Sequence, residues 1–202
     1  LDDEPLIQRN PALQGGLTPE GVRWAFESRL DAGWAPLTWI SRMLDVSLFG
    51  MNAGKHHLVN VLFHLCNTLL LFRFLHAASG RIRESALAAV LFAVHPLHVE
   101  SVAWVMARKD VLCLFFLLLT LCTYLRYAER PTGARYGAVL LLFLFALLSK
   151  PLATTLPFVL VLMDFWPLER FGPRPEGGPE ARTPFPPPPL RLILLDKLPL
   201  RM

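Results

Sequence analysis

The chain has 202 residues, of which 53% are apolar and only 18% charged, against roughly 25% charged in an average soluble domain. With 14 Phe and 5 Trp set among Leu-rich runs and a mean hydropathy of +0.42, the composition excludes a disordered chain, argues against a water-soluble enzyme and describes an integral membrane protein. The net charge of +4 does not make a nucleic-acid binder, because the basic residues flank apolar spans instead of forming a patch with interleaved aromatics.

From the amino end, residues 1–57 read as an outer loop with amphipathic helices. The start at Leu1 shows no initiator Met and no signal-peptide core, so a piece of a longer chain is expected, with a span before it. Thr18-Pro19-Glu20 predicts a helix start: a capping hydroxyl, Pro at the first helical position and an acid in the first turn. Val22, Phe26 and Leu30 then fall on one face. A second helix over Trp39 to Phe49 is expected to set Trp39, Met43, Leu44 and Leu48 on one side and Arg42 and Asp45 on the other. Trp24, Trp34 and Trp39 suit the headgroup level. Helices lying on the membrane surface and a soluble two-helix cap both fit that pattern.

Residues 58–168 read as transmembrane helices: 58–75, 85–107 broken at His95-Pro96, 111–127, 136–148 and 152–166. A straight span needs about 20 residues. The last two are short, yet together they are too long for one helix, so two helices with a tight turn at Ser149-Lys150-Pro151 are expected. The fold class is therefore all-α and polytopic, with about five visible spans. Residues 169–189 form a Pro/Gly-rich cytoplasmic linker, and 190–202 the start of a further truncated span. The loops 73–83, 126–135 and 170–182 carry nine Lys/Arg, against Arg108, Lys109 and Lys150 in the loops of opposite parity. This bias puts the first set in the cytoplasm. Cys66, Cys113 and Cys122 lie in apolar runs with no metal or disulfide spacing.

Three polar clusters fall on the outer side. Asp2-Asp3-Glu4 is the first: adjacent carboxylates can hold a divalent cation or supply a general base, and an exposed acidic terminus is the plain alternative. The second is His95-Pro96-Leu97-His98-Val99-Glu100-Ser101 with Arg108-Lys109-Asp110. Pro96 breaks the helix and frees backbone groups, which membrane depth tolerates only against protein or a wet cavity. Imidazoles, a carboxylate and cations beside such a break point to a site; an interfacial loop meeting water and lipid phosphates is the alternative. The third is His56-His57 followed by Asn60, His64 and Asn67 at helical spacing, either a substrate path or a packing seam of amides and imidazoles. Lys150 adds one more outer cation. No Walker loop, Rossmann fingerprint or G-x-S-x-G appears, so a substrate would arrive through the bilayer.

Leu1-Asp2-Asp3, Trp34-Ala35-Pro36-Leu37-Thr38-Trp39, Gly54-Lys55-His56-His57-Leu58-Val59-Asn60, His95 through Trp104, Arg108-Lys109-Asp110-Val111-Leu112, Ser149-Lys150-Pro151 and Asp164-Phe165-Trp166-Pro167-Leu168 occur in that order. This ordered set resembles the membrane domain of bacterial TPR-containing proteins similar to the transmembrane-and-TPR protein O-mannosyltransferases, which are GT-C glycosyltransferases. The resemblance implies a polyprenyl-phosphate sugar as donor, a protein hydroxyl as acceptor, a bacterial inner-membrane location and a TPR domain beyond Met202. The 34-residue TPR repeat does not occur within this stretch.

The resemblance also implies an acidic catalytic or metal-binding element in the first outer loop, matched by Asp2 and Asp3. Arg108, Lys109 and Lys150 would then neutralise the donor phosphate. His95, His98, Glu100 and Asp110 would position the sugar or phosphate, and His56, His57 and Asn60 would line a substrate path. Two rival readings are a lipid or solute transporter, for which no inverted repeat is visible, and a non-catalytic anchor for a TPR array.

Overall fold

A computed structural model describes residues 10–29, 33–165 and Leu168. These residues form helices and connecting turns, with no strand among them. The helices are α1 (Pro11–Gln14), α2 (Pro19–Glu27), α3 (Pro36–Phe49), α4 (Ala53–Ser79), α5 (Ile82–Val94), α6 (His98–Ala103), α7 (Arg108–Glu129), α8 (Gly133–Ser149) and α9 (Leu156–Phe165). Short 3-10 turns, Val105–Ala107 and Pro151–Thr155, lead into α7 and α9.

Local chemistry explains the boundaries. Asn10, Thr18, Asn52 and Thr132 each cap a helix by accepting a backbone N–H, and Thr18 Oγ1 takes the Gly21 N–H at 3.0 Å, as the Thr-Pro-Glu start predicts. Gly80 closes α4 in the left-handed region at φ +70°, a conformation glycine enters without a Cβ penalty.

In α4 the usual amphipathic order is inverted. Its buried residues are His56, Asn60, His64 and Asn67, while Leu58, Leu62, Leu65 and Leu69 are 50–67% exposed. In water such a helix would hide its polar side and display its greasy one, the reverse of what the hydrophobic effect favours. In a bilayer the same arrangement is stable, because lipid solvates the leucines and the polar groups find partners inside. At 27 residues α4 is about 40 Å long at 1.5 Å per residue, enough for a hydrocarbon layer of about 30 Å. The segment Val105–Glu129 is likewise long and apolar enough to cross, and Gly133–Ser149 and Pro151–Phe165 are shorter apolar helices. The fold is that of an all-α membrane protein.

The core toward the end far from α3 is built by α7, α8 and α9. Tyr124, Leu125, Ala128, Val139, Phe143, Leu156 and Leu160 are buried together there. Tyr124 Oη donates to Asp164 Oδ1 at 2.6 Å. Arg135 Nη1 covers the end of α7 by donating to the Arg126 and Arg130 carbonyls at 2.7 and 3.0 Å. The hinge between α8 and α9 falls at Lys150-Pro151, where the two-helix expectation put it.

The helices α2 and α3 differ from expectation in rotation. The buried face of α3 carries Thr38, Trp39, Arg42, Met43, Asp45 and Val46, while Leu44 and Leu48 are exposed. Arg42 and Asp45 turn inward because both have buried partners across the fold, described below, and Leu44 and Leu48 are left on the exposed side. Trp39 is 2% exposed and packs edge-on against Trp24 at 5.3 Å, so it is a core residue and not a headgroup anchor. In α2 the buried residues are Gly21 and Ala25, with Phe26 exposed; small residues let this short helix lie close on Met43. Leu30, also expected on the apolar face, lies outside the described residues.

Candidate functional site

The site grows from the break at Pro96. A helix ending there leaves carbonyls without intrahelical partners, and each must be satisfied internally. The polar stripe of α4 does this. His64 Nε2 lies 3.0 Å from the Ala93 carbonyl near the end of α5; a carbonyl only accepts, so Nε2 carries the proton. Asn60 Nδ2 donates to the Trp104 carbonyl at 3.2 Å and reaches the Val102 carbonyl at 3.4 Å. Arg42 of α3 donates to the Met106 carbonyl at 2.7 Å. Of the two expectations for the α4 stripe, the geometry at Asn60 and His64 is that of a packing seam.

Arg108, the first residue of α7, is the hub of this seam. Its side chain is fully buried and all three nitrogens are engaged. Nε donates to Asn60 Oδ1, Nη1 to Ser41 Oγ at 2.9 Å, and Nη2 to Asp45 Oδ2 at 2.6 Å and the His56 carbonyl at 3.1 Å. His56 Nδ1 stands 3.4 Å from the same Asp45 oxygen, and its Nε2 donates to the Gly50 carbonyl at 3.0 Å. The guanidinium charge is thus balanced by Asp45 inside the protein, and it offers no face to an external phosphate.

Next to this seam, α4, α5, α6 and α7 line a half-open cavity of about 280 Å³. His64, Asn67, Phe92, His98, Ser101 and Asp110 supply its character. Asn67 is fully buried; its Nδ2 donates to the Val111 carbonyl at 2.9 Å, which fixes the amide orientation, and its Oδ1 has no partner. His98 lies against Phe92, ring centroids 4.3 Å apart, and 5.7 Å from His64. Asp110 is paired with Lys150, each about a third exposed, so the two cationic loops meet at one end of the helices. Thr38 Oγ1 donates to the Ser149 carbonyl at 2.9 Å and ties α3 to that same end.

The sequence-predicted residues thus divide. His98, Asp110 and Lys150 come together at the cavity and its rim. His95 is exposed, 6.0 Å from His98 between ring centroids, and its Nδ1 accepts the Leu97 N–H at 3.3 Å. Glu100 is exposed and Lys109 half-buried. Arg108, His56 and Asn60 belong to the seam; His57 is half-buried with Nδ1 unpartnered. Asp2 and Asp3 lie outside the described residues, and among the described residues no group of three or more His, Cys, Asp or Glu is placed to hold a metal ion. Asp45 and Ser41 were missed as hub residues, since an acid three positions from an arginine on a surface helix looks like solvated charge.

Comparison with known proteins adds an independent line. Residues 36–170 match the family described as dolichyl-phosphate-mannose-protein mannosyltransferase. The mouse protein O-mannosyl-transferase TMTC2 is 40% identical over 103 residues, covering 50% of this chain and 12% of that protein. The mouse protein O-mannosyl-transferase TMTC4 is 33% identical over 162 residues, covering 68% and 21%. The Drosophila melanogaster protein O-mannosyl-transferase Tmtc2 is 34% identical over 178 residues, covering 81% and 19%. The chain therefore spans between about an eighth and a fifth of the length of these relatives. No solved structure matches. The matched stretch takes in α3 to α9 and with them the Arg108 hub, the Pro96 break and the cavity, and the chain belongs to the dolichyl-phosphate-mannose-protein mannosyltransferase family.

Proposed function

We propose that this chain is part of a membrane glycosyltransferase that moves a sugar, mannose by analogy with its relatives, from a polyprenyl-phosphate donor to a protein hydroxyl on the outer face of a bacterial inner membrane. One observation carries this: within the family-matched stretch, a partly polar cavity and the Asp110–Lys150 pair lie together at one end of apolar helices. A lipid-borne donor enters such a place from the bilayer with its head at the membrane surface.

In this reading Asp2 or Asp3 takes the proton of the acceptor hydroxyl as its oxygen bonds to the anomeric carbon. The bond from that carbon to the phosphate oxygen breaks, and the phosphate leaves on the lipid. Lys109 and Lys150 meet the charge that develops on it. Arg108 acts through position, holding α3 and α4 against the start of α7. A divalent cation, if used, would be held by Asp2 and Asp3. A TPR array beyond Met202 would present the acceptor.

The test is transfer of labelled mannose from polyprenyl-phosphate-mannose to protein by the full-length chain. Asp2→Asn and Asp3→Asn together should abolish transfer without loss of membrane insertion. Transfer at the wild-type rate would remove the catalytic assignment and leave the non-catalytic anchor as the better account.

A further inference from the structure

At the end of the helices remote from α3, two arginines have no partner for their charge. Arg73 of α4 and Arg126 of α7 are both exposed, and among the described residues neither guanidinium makes a hydrogen bond or an ion pair. They are neighbours across the helix contact. Phe63 meets Phe115 at 5.4 Å between ring centroids, and Cys122 Sγ reaches the Leu70 carbonyl at 3.8 Å. Both contacts join residues 52 positions apart, so α4 and α7 run side by side in the same direction. That offset sets Arg126 opposite Phe74, next to Arg73. The two charges also both bear on the Cys122 thiol.

The face of α4 that carries Arg73 is otherwise apolar. Leu62, Cys66, Leu69 and Arg73 recur at i, i+4, i+7 and i+11, the period of one helix face, and all four are exposed. From Leu62 to Arg73 the rise is about 16 Å at 1.5 Å per residue. That is half of a hydrocarbon layer of about 30 Å, the depth of one leaflet. A cation at the edge of that layer is costly unless it reaches water or an anion. The surrounding field is positive: the stretches 73–84 and 126–135 hold six arginines against Glu84 and Glu129. A zwitterionic head group would carry its ammonium into that field, whereas an anionic one brings only charge that the arginines attract.

We propose that Arg73 and Arg126 clamp the phosphate of an anionic phospholipid whose acyl chain lies along Leu69, Cys66 and Leu62. The hydrogen bonds that Asn60, Asn67 and the His56 carbonyl make with α7 all lie toward the other end of the two helices, and the lipid joins α4 to α7 at the end those bonds do not reach. The site is remote from the cavity and from the Asp110–Lys150 pair, and it does not rest on the transferase function.

The experiment counts the lipids that the full-length protein retains in native mass spectrometry, after release from nanodiscs of phosphatidylglycerol and phosphatidylcholine in equal parts with the same chains. The wild-type protein should retain phosphatidylglycerol in preference. Arg73→Gln and Arg126→Gln should each weaken it about fivefold, the scale of one cation at a lipid surface, and the double variant should retain the two lipids equally. Arg73→Lys with Arg126→Lys keeps the charge and should preserve part of the preference, less than wild type because an ammonium lacks the planar fork. Arg83→Gln removes a charge from the same end but from α5, off the strip, and should change retention less than about twofold. A wild-type protein without preference would overturn the proposal. So would an Arg83→Gln variant as impaired as Arg73→Gln, which would mean diffuse attraction with no clamp. Glycerol phosphate, a head without chains, serves as competitor: if it displaces phosphatidylglycerol at millimolar concentration, the acyl track along α4 is overturned.

Discussion

Arg108 Nη2 lies 2.6 Å from Asp45 Oδ2 with both side chains buried, joining residues 63 positions apart in sequence. Through this pair the first residue of a membrane-spanning helix is bonded to α3. The segment carrying α3 is thus fixed to the membrane helices and is not a tether to them.

Breaking that pair leaves an uncompensated charge in a buried place. Arg108→Ala or Asp45→Ala should each cost about 3–5 kcal/mol of stability, read as a lower midpoint of thermal unfolding in detergent. The double variant should lose less than the sum, because the two act as one unit. Arg108→Lys should rescue little, since a single ammonium cannot satisfy Asn60, Ser41 and Asp45 in fork geometry. A variant Arg108→Ala with normal stability and only a reduced donor affinity would contradict the hub.

The α4 stripe gives a contrast on one helix. Asn60→Leu removes the acceptor of Arg108 Nε and the donor to the Trp104 carbonyl, at an expected cost of about 1–3 kcal/mol. Leu62→Ala, two positions on and 50% exposed on the lipid side, should fall within about 0.5 kcal/mol of wild type. Equal effects would mean that the polar groups do not face inward.

Contacts place the connections near residues 36–57, 95–110 and 149–151 at one end, and the Lys/Arg bias of the sequence predicts that this end faces outward. In a cysteine-free background, Glu100→Cys should react with an impermeant thiol reagent from outside. Gly133→Cys, at the other end of α7, should react only after the membrane is opened. The reverse pattern would invert the orientation.

Much of this architecture was legible from local signals. The Thr18-Pro19 cap, the Pro96 break, the Lys150-Pro151 turn and the period of the α4 stripe are all set by a few adjacent residues, and each appears where those residues put it. The rotation of α3 was not legible, because it depends on partners 63 and 64 residues away, Arg108 for Asp45 and the Met106 carbonyl for Arg42. A rule that assigns charge to water turns that helix the wrong way. Arg108 was singled out for the same reason it is buried, being a cation beside a helix break, but sequence does not distinguish a cation that meets a ligand from one that meets an aspartate. Asn67 was visible as a stripe member, whereas its unpaired oxygen depends on Val111 having already taken the amide hydrogens.

The inverted face of α4 also fixes its register. In lipid, α4 alone would hold Asn60, His64 and Asn67 away from any partner. Their mates lie on three different neighbours: the Ala93 carbonyl of α5, the Val102 and Trp104 carbonyls ahead of α7, and the Val111 carbonyl within α7. One rotation of α4 must therefore suit all of them at once. A slide of α4 by one residue would rotate every polar group about 100° from its mate, and the bonds would fail together rather than one by one.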